Sequence, residues 1–425
     1  MWEPQVFGGA TVRPNRYVPD LRKSLVALVC AAAMLLLGSL APVAAQPRER
    51  AQPTAPPGAP EITSTAGGVQ FFAATQAGFD SNLDNRFVWR PSPFEMLQLG
   101  ASGGYKPTDS SAYSFYLSGR DFWYNTLDIS QRYDVDAAAG ARYDLSPNTA
   151  LKLGGSYYKD AISLDRYDYY KGFADLINEG ELYRLRVKLD SLTEVSTNER
   201  LPGTLAPEVF ASTSNKAFDF TKNGPTASLL MLQKQMVAPF VVGNYAKVDY
   251  FEQVANPLIN RNAWEYWTTG GARITFNPDF SVDLGARYNH RNFDDLIFTQ
   301  FSSWYPDIRV TWHAFDGWTV RGIVERQITE PTTTFGLADD LTTYELSFDK
   351  RFDQWTFTGR AFLNHIRPIG DPLNYYKYNW FFGLGYDLTK DTKLFAEYYG
   401  RYVIEKVSDL TYERTRVGAG VRVSF

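Results

Sequence analysis

The chain has 425 residues, of which 16% are aromatic and 44% hydrophobic, and its mean hydropathy is −0.31. A helical membrane protein needs unbroken apolar runs of about 20 residues, so this composition excludes a bundle of such helices. The formal net charge of −4 excludes the strongly basic surface that marks nucleic-acid-binding proteins. We therefore expect no nucleic-acid partner.

The only long apolar run, 25–40, follows two basic residues and ends in small residues. That order predicts a secretory signal peptide over 1–45, cleaved after Ala45, and an uncleaved anchor is the alternative. Residues 1–20 fit neither a signal nor a strand, and a start site assigned too far upstream explains them. The single cysteine, Cys30, would leave with the signal, so the mature chain could form no disulfide.

Residues 46–66 contain five prolines and little that could pack. They predict an extended, disordered linker on the periplasmic side, serving as a spacer or as a docking tail. From 67 to 425 we predict one domain, because apolar and polar residues alternate with period two throughout. In the last strand, Val417, Val421 and Val423 fall on one face, and Arg416 and Arg422 fall on the other.

Phe425 closes this last strand. An aromatic residue at that place resembles the terminal signature by which the barrel-assembly machinery of the outer membrane recognises its substrates. We therefore predict that Phe425 is an assembly signal and that the chain inserts among outer-membrane lipids of a Gram-negative bacterium. A soluble edge strand that ends in Phe by chance is the alternative.

Short breaks rich in Pro, Asn, Asp and Gly alternate with longer breaks along 67–425. Eight short breaks, one of them at 190–193, predict tight periplasmic turns, and nine longer ones predict outer loops. Seventeen connections give eighteen strands, with sixteen as the alternative because 193–225 is hard to interpret. The predicted fold class is all-β: a transmembrane antiparallel up-and-down β-barrel, which we expect to be monomeric because closure leaves no free edge.

A barrel of this size is too wide for its own side chains to fill, so function depends on what lines the lumen. The alternation places a set of arginines on the inner face: Arg120, Arg142, Arg184, Arg186, Arg273, Arg287, Arg309, Arg321, Arg360, Arg401, Arg414, Arg416 and Arg422. It places the aromatic residues Tyr116, Tyr158, Trp267 and Tyr399 there as well. These side chains could contact an anionic polymer through arginine forks and ring stacking. Alternatively, the arginines simply pair with lumen carboxylates across strands.

The sequence shows no catalytic constellation. The three histidines, His290, His313 and His365, are far apart and form no metal-binding spacing. Glycine pairs within strands precede no helix, so they do not predict phosphate-binding loops. We therefore predict that the protein is not an enzyme and holds no cofactor or metal.

The stretch Gly78-Phe79-Asp80-Ser81-Asn82-Leu83-Asp84-Asn85 follows the first strand. An aromatic-Asp-x-Asn stretch at this place resembles the opening of the putative beta-barrel porin 2 family, and the resemblance would cover about 67–425. It implies an eighteen-stranded export porin that works with a periplasmic polysaccharide-export protein. No helical-repeat scaffold precedes the barrel, so scaffolding would come from separate proteins. The resemblance implies no catalytic residues.

These observations lead to the hypothesis of a passive outer-membrane conduit that secretes an exopolysaccharide. A diffusion porin for small solutes is the first alternative. An outer-membrane enzyme that modifies the polymer is the second, and a surface barrel plugged by its own loops is the third. Ion selectivity and neighbouring genes would discriminate among them.

Overall fold

The structure is a computed structural model that describes residues 68–81, 91–125, 131–160, 167–196, 219–251, 260–295, 300–314, 317–330, 336–370, 374–405 and 410–425. The predicted signal peptide and linker lie outside these ranges. The strands are β1 (Gly68–Asp80), β2 (Ser92–Thr108), β3 (Ser111–Tyr124), β4 (Gln131–Ser146), β5 (Thr149–Asp160), β6 (Tyr167–Glu179), β7 (Tyr183–Ser196), β8 (Phe220–Met231), β9 (Val237–Tyr250), β10 (Ala263–Asn277), β11 (Phe280–Phe293), β12 (Gln300–Ala314), β13 (Trp318–Thr329), β14 (Ala338–Phe352), β15 (Trp355–Ile369), β16 (Tyr375–Asp387), β17 (Thr392–Glu405) and β18 (Leu410–Ser424).

The eighteen strands form one closed antiparallel sheet. Each strand pairs with its neighbours in the sequence, and β1 pairs with both β2 and β18. The predicted fold class and strand number are therefore confirmed. None of the described ranges contains a helix that is long and apolar enough to cross a membrane.

Connections of two to five residues alternate with connections of four to 23 residues, the longest of which is 197–219. Short turns mark the periplasmic end of outer-membrane barrels and long loops mark the outer end. Two predicted turn residues, Gly317 and Asp353, have positive φ angles of 77° and 49°, as tight hairpins require.

The turn predicted at 190–193 is wrong, because β7 runs through it and the chain turns at 180–182. Asp190 lies on the inner face of β7 within 2.5 Å of the amino group of Lys188. A water-filled lumen accommodates polar residues inside a strand, so the polar composition of Asp190 and Ser191 led to the wrong prediction of a turn.

Burial in this barrel is inverted relative to a soluble protein. Outward-facing Leu99, Leu117 and Leu189 are 57%, 51% and 57% exposed, whereas inward-facing Asp175 and Arg291 are 1% and 0% exposed. Since successive side chains of a strand point to opposite faces, the period-two pattern produces an apolar outer wall and a charged lumen.

One seam between strands is incomplete. β12 and β13 pair only from Ile308 with Val324 to Ala314 with Trp318, so the outer half of β12 has no partner on this side. Pro306 lies in that unpaired half. Because proline has no backbone N–H, it belongs at an edge where a ladder bond is already missing.

Candidate functional site

Most of the lumen arginines predicted from the sequence are neutralised by a carboxylate. The pairs are Arg120–Asp134 (3.2 Å), Arg142–Asp144 (2.8 Å), Arg184–Glu179 (4.0 Å), Arg186–Asp175 (2.6 Å), Arg273–Asp283 (2.7 Å), Arg287–Asp307 (3.0 Å), Arg309–Glu325 (2.7 Å), Arg321–Asp349 (3.0 Å), Arg360–Glu345 (2.8 Å) and Arg414–Asp80 (2.6 Å). An arginine with its own carboxylate has little charge left for a passing solute. These ten therefore form a neutralised lining.

The remaining three arginines differ from these ten. Within the described part of the chain, Arg401, Arg416 and Arg422 form no ion pair. Arg401 donates to the side-chain oxygen of Asn379 at 2.9 Å. The Arg416 guanidinium lies 5.8 Å from the ring centre of Tyr399, and the three cations keep their charge for the lumen.

These three arginines lie on two adjacent strands. Arg401 is paired with Arg414 across β17 and β18, one inward position from Arg416, and Arg422 is six residues further along β18. At about 3.3 Å per residue, the row from 414 to 422 spans about 26 Å. The inward positions between Arg416 and Arg422 are Gly418 and Gly420, so no side chain of β18 stands between the two cations. We call Arg401, Arg416 and Arg422 the arginine row.

Aromatic side chains accompany the arginine row. The Arg422 guanidinium lies 4.1 Å from the ring centre of Phe72, and Tyr116 stacks on the same ring at 6.0 Å. Tyr399 lies beside Arg401 and Arg416. This wall therefore combines free positive charge with flat apolar rings.

The other two predicted aromatic residues lie elsewhere. Tyr158 stacks on Tyr169 with ring centres 6.1 Å apart. Trp267 lies under the guanidinium of Arg287 at 4.4 Å, and Arg287 is already paired with Asp307. The structure therefore does not bring Tyr158 and Trp267 together with the arginine row.

Asp80 and Ser81, from the stretch 78–85, connect the first and last strands of the barrel. Asp80 is fully buried and accepts hydrogen bonds from Arg414 of β18. The Ser81 hydroxyl accepts the backbone N–H of Thr415 at 2.7 Å. Asp80 and Ser81 thus join β1 to β18, and residues 82–85 of that stretch lie outside the described residues.

A partly buried ionic cluster that was not predicted from the sequence lies at the loop end of the lumen. Glu330, just beyond β13, contacts Arg291 of β11 at 2.7 Å and Lys222 of β8 at 3.5 Å, and it accepts a hydrogen bond from the hydroxyl of Tyr250 in β9. Glu265 of β10 contacts Lys222 at 2.5 Å and Arg291 at 3.4 Å. We call these five residues the mouth cluster. These contacts of Glu330 are with β8, β9 and β11 and skip the neighbouring strand β12, so the end of β13 lies inside the barrel.

Apolar contacts support the same inward course. Ile328, Leu337 and Ala338 pack with Ala263 and Phe293 of β10 and β11 in one buried cluster, which also contains Ile369. The Arg261 side chain donates to the carbonyl of Gly336 at 2.9 Å. The described ends of the β13–β14 hairpin, Glu330 and 336–338, therefore lie inside the loop end of the barrel, and we call them the inward hairpin end.

Period two could have placed Glu265 and Arg291 on the inner face, since they share it with Arg273 and Arg287. It could not show that Glu330 reaches them, because that contact skips a strand.

Glu330 has a pKa of about 2: burial would raise it, but the positive charges of Arg291 and Lys222 lower it from 4.5.

The histidines do not converge. His290 contacts the hydroxyl of Ser302 at 2.7 Å, His313 contacts Thr319 at 3.2 Å, and His365 contacts Asn374 at 2.8 Å. In the ranges that the structure describes, no three His, Cys, Asp or Glu side chains are grouped so as to hold a metal ion.

Comparison with known proteins completes the description. No curated protein matches the chain in sequence, but the profile of a family described as Putative beta-barrel porin 2 matches residues 112–425. The chain is similar in fold to OccK2 (OpdF) of Pseudomonas aeruginosa in complex with glucuronate, with a TM-score of 0.46, 10% identity, and coverage of 84% of this chain and 98% of that one. It is also similar to the siderophore receptor PirA of Acinetobacter baumannii, with a TM-score of 0.45, 9% identity, and coverage of 86% and 81%.

Proposed function

The chain belongs to the Putative beta-barrel porin 2 family of the outer membrane, and from this premise we propose that it is a passive conduit through which a bacterium exports an anionic exopolysaccharide. A periplasmic polysaccharide-export protein would deliver the polymer to the turn end, as the family resemblance implies. The polymer would then leave through the loop end.

The arginine row is the observation that carries this proposal. Its members keep their charge, whereas the ten other predicted arginines are neutralised. Arg422 lies near the turn end, Arg416 further along the lumen and Arg401 towards the loop end. A chain with a carboxylate on successive sugars could pass from one cation to the next.

Weak, repeated contacts suit transport better than one tight site. A polymer that must move cannot be held strongly at any point, so conduction favours several shallow sites over one deep one. The exposed arginine forks could bind carboxylates in pairs of hydrogen bonds, and Tyr116 and Tyr399 offer rings for sugars to pass over.

The test is export from cells whose chromosomal gene is deleted. Complementation with wild-type protein should restore surface polymer, measured as uronic acid and total hexose. The variant Arg416→Ser/Arg422→Ser should restore clearly less, although its barrel level in the outer membrane is unchanged. Full export from cells without the gene would refute the proposal.

A matched control removes two paired lumen arginines together with their carboxylates. Arg142→Ser/Asp144→Ser/Arg321→Ser/Asp349→Ser deletes the pairs Arg142–Asp144 and Arg321–Asp349. We expect this control to export normally, because the charges it removes cancel. Equal loss in the control and in Arg416→Ser/Arg422→Ser would show that the arginine row has no special role.

The neutralised lining also suits a diffusion porin for small solutes, and this is the second candidate. Planar-bilayer recordings discriminate between the two. Added oligogalacturonate should interrupt the current of the wild type and interrupt that of Arg416→Ser/Arg422→Ser less often. A current that ignores the oligosaccharide would favour the small-solute porin.

A further inference from the structure

The incomplete β12–β13 seam contains a cavity of ≈ 210 Å³. Most of its lining lies on the outward face of the wall: Pro306, Val324, Thr342, Tyr344, His365 and Arg367. The greater part of the cavity wall therefore faces away from the lumen. It plays no part in the conduit proposed above.

Two arginines share one carboxylate at this cavity. Arg326 donates to Asp340 with two nitrogens, one of them at 2.7 Å, and Arg367 donates to the same carboxylate at 2.7 Å. The side chain of Asp340 is 6% exposed and that of Arg367 is 43% exposed. Since two cations face one anion, the group keeps a positive charge, and Arg367 presents it at the surface.

The hydroxyl of Tyr305 is buried at the cavity and lacks a well-formed hydrogen bond. Tyr305 is 6% exposed, and its hydroxyl makes no hydrogen bond of normal geometry within the described part of the chain. The guanidinium of Arg326 lies 3.9 Å from the centre of its ring. A buried hydroxyl without a well-formed hydrogen bond is unfavourable, so a ligand that accepts its hydrogen bond would be stabilised there.

The depth of the cavity in the wall indicates the kind of ligand. Outward-facing Trp304 and Tyr344 are 70% and 48% exposed, as residues of an aromatic girdle at the membrane interface are. Asp340 is four residues nearer to the loop end than Tyr344, and it pairs in register with Arg367. The charged group therefore lies at the level of lipid headgroups of the outer leaflet, and apolar Val324 and Pro306 lie below it.

We propose that this cavity binds the phosphate-bearing headgroup of an outer-leaflet lipid. Arginine forks match phosphate geometry, and basic pockets on membrane proteins bind phosphorylated headgroups in the same way. Arg367 and Tyr305 would donate to the phosphate, while Arg326 stays on Asp340. An acyl chain would cover the unpaired edge of β12 over Pro306.

The test is titration of the purified, detergent-solubilised barrel with diphosphoryl lipid A, followed by native mass spectrometry. The wild type should bind one lipid at saturation. Arg367→Gln should weaken binding about tenfold and Tyr305→Phe about fivefold, each for one lost hydrogen bond. Both variants should fold, since Asp340 keeps Arg326 and the Tyr305 hydroxyl has no well-formed hydrogen bond to lose.

Arg351→Gln is the matched control, because Arg351 lies at the opposite, turn end of β14, where its side chain is 74% exposed. We expect it to bind as the wild type does. Equal binding by the wild type, Arg367→Gln and Tyr305→Phe would overturn the proposal, and so would equal binding of diacylglycerol, which has no phosphate. Inorganic phosphate that competes at the same concentration as lipid A would show a site for free phosphate, which would overturn the lipid assignment.

Discussion

Replacing Glu330 with glutamine should loosen the inward hairpin end. The substitution keeps the shape of the side chain but removes the charge that Arg291 and Lys222 face. Arg291 is fully buried, and its contact with Glu265 is longer, at 3.4 Å. The variant therefore leaves a buried cation only partly compensated.

Two considerations give the magnitude. Breaking a buried ion pair by removing one partner costs about 3–5 kcal/mol. The pKa of Glu330, lowered from 4.5 to about 2, corresponds to about 3 kcal/mol at about 1.4 kcal/mol per unit. The two agree, so we expect the inward hairpin end to detach for a measurable fraction of the time.

Single-channel recording in planar bilayers is the assay. Glu330→Gln should show a larger mean conductance or frequent transitions to a larger open level, because the inward hairpin end would leave the mouth. Glu345→Gln is the control: Glu345 is also a lumen carboxylate paired with an arginine, Arg360, but the pair joins adjacent strands. Wild-type conductance and wild-type thermal unfolding in Glu330→Gln would refute the role of the mouth cluster.

Three further outcomes are expected. Because the pKa of Glu330 is lowered, the stability that its ionised form contributes is complete above about pH 4.5 and is lost as the pH falls towards about 2. The single-channel conductance should therefore rise as the pH falls through that window in the wild type but not in Glu330→Gln. Phe425→Ala should lower the amount of barrel in isolated outer membranes, since the Phe425 ring stacks on Phe71 at 6.3 Å beside their paired backbones. An unchanged amount would contradict the role of Phe425 as an assembly signal. Asp80→Asn should reduce the free energy of unfolding, measured by urea titration, by about 3 kcal/mol or more, because Arg414 loses its buried partner. A urea midpoint equal to that of the wild type would argue that the Asp80–Arg414 pair does not help to close the barrel.

Period two alone determined much of this protein. It predicted the strands and the inner face of every arginine in the arginine row, and the count of turns and loops predicted the strand number. Turn chemistry predicted most hairpins, but Asp190 and Ser191 misled it, because a polar pair inside a lumen strand has the same composition as a turn.

Only the tertiary structure decided which lumen charges are free. Alternation assigns a side chain to a face but does not show which carboxylate lies opposite it, so Arg414 and Arg416 look alike in the sequence although only Arg414 reaches Asp80. A local sequence pattern cannot predict contacts between strands that are not adjacent. Glu330 meets Arg291 because β13 leaves β12 beyond Val324, and that departure depends on packing across the whole mouth.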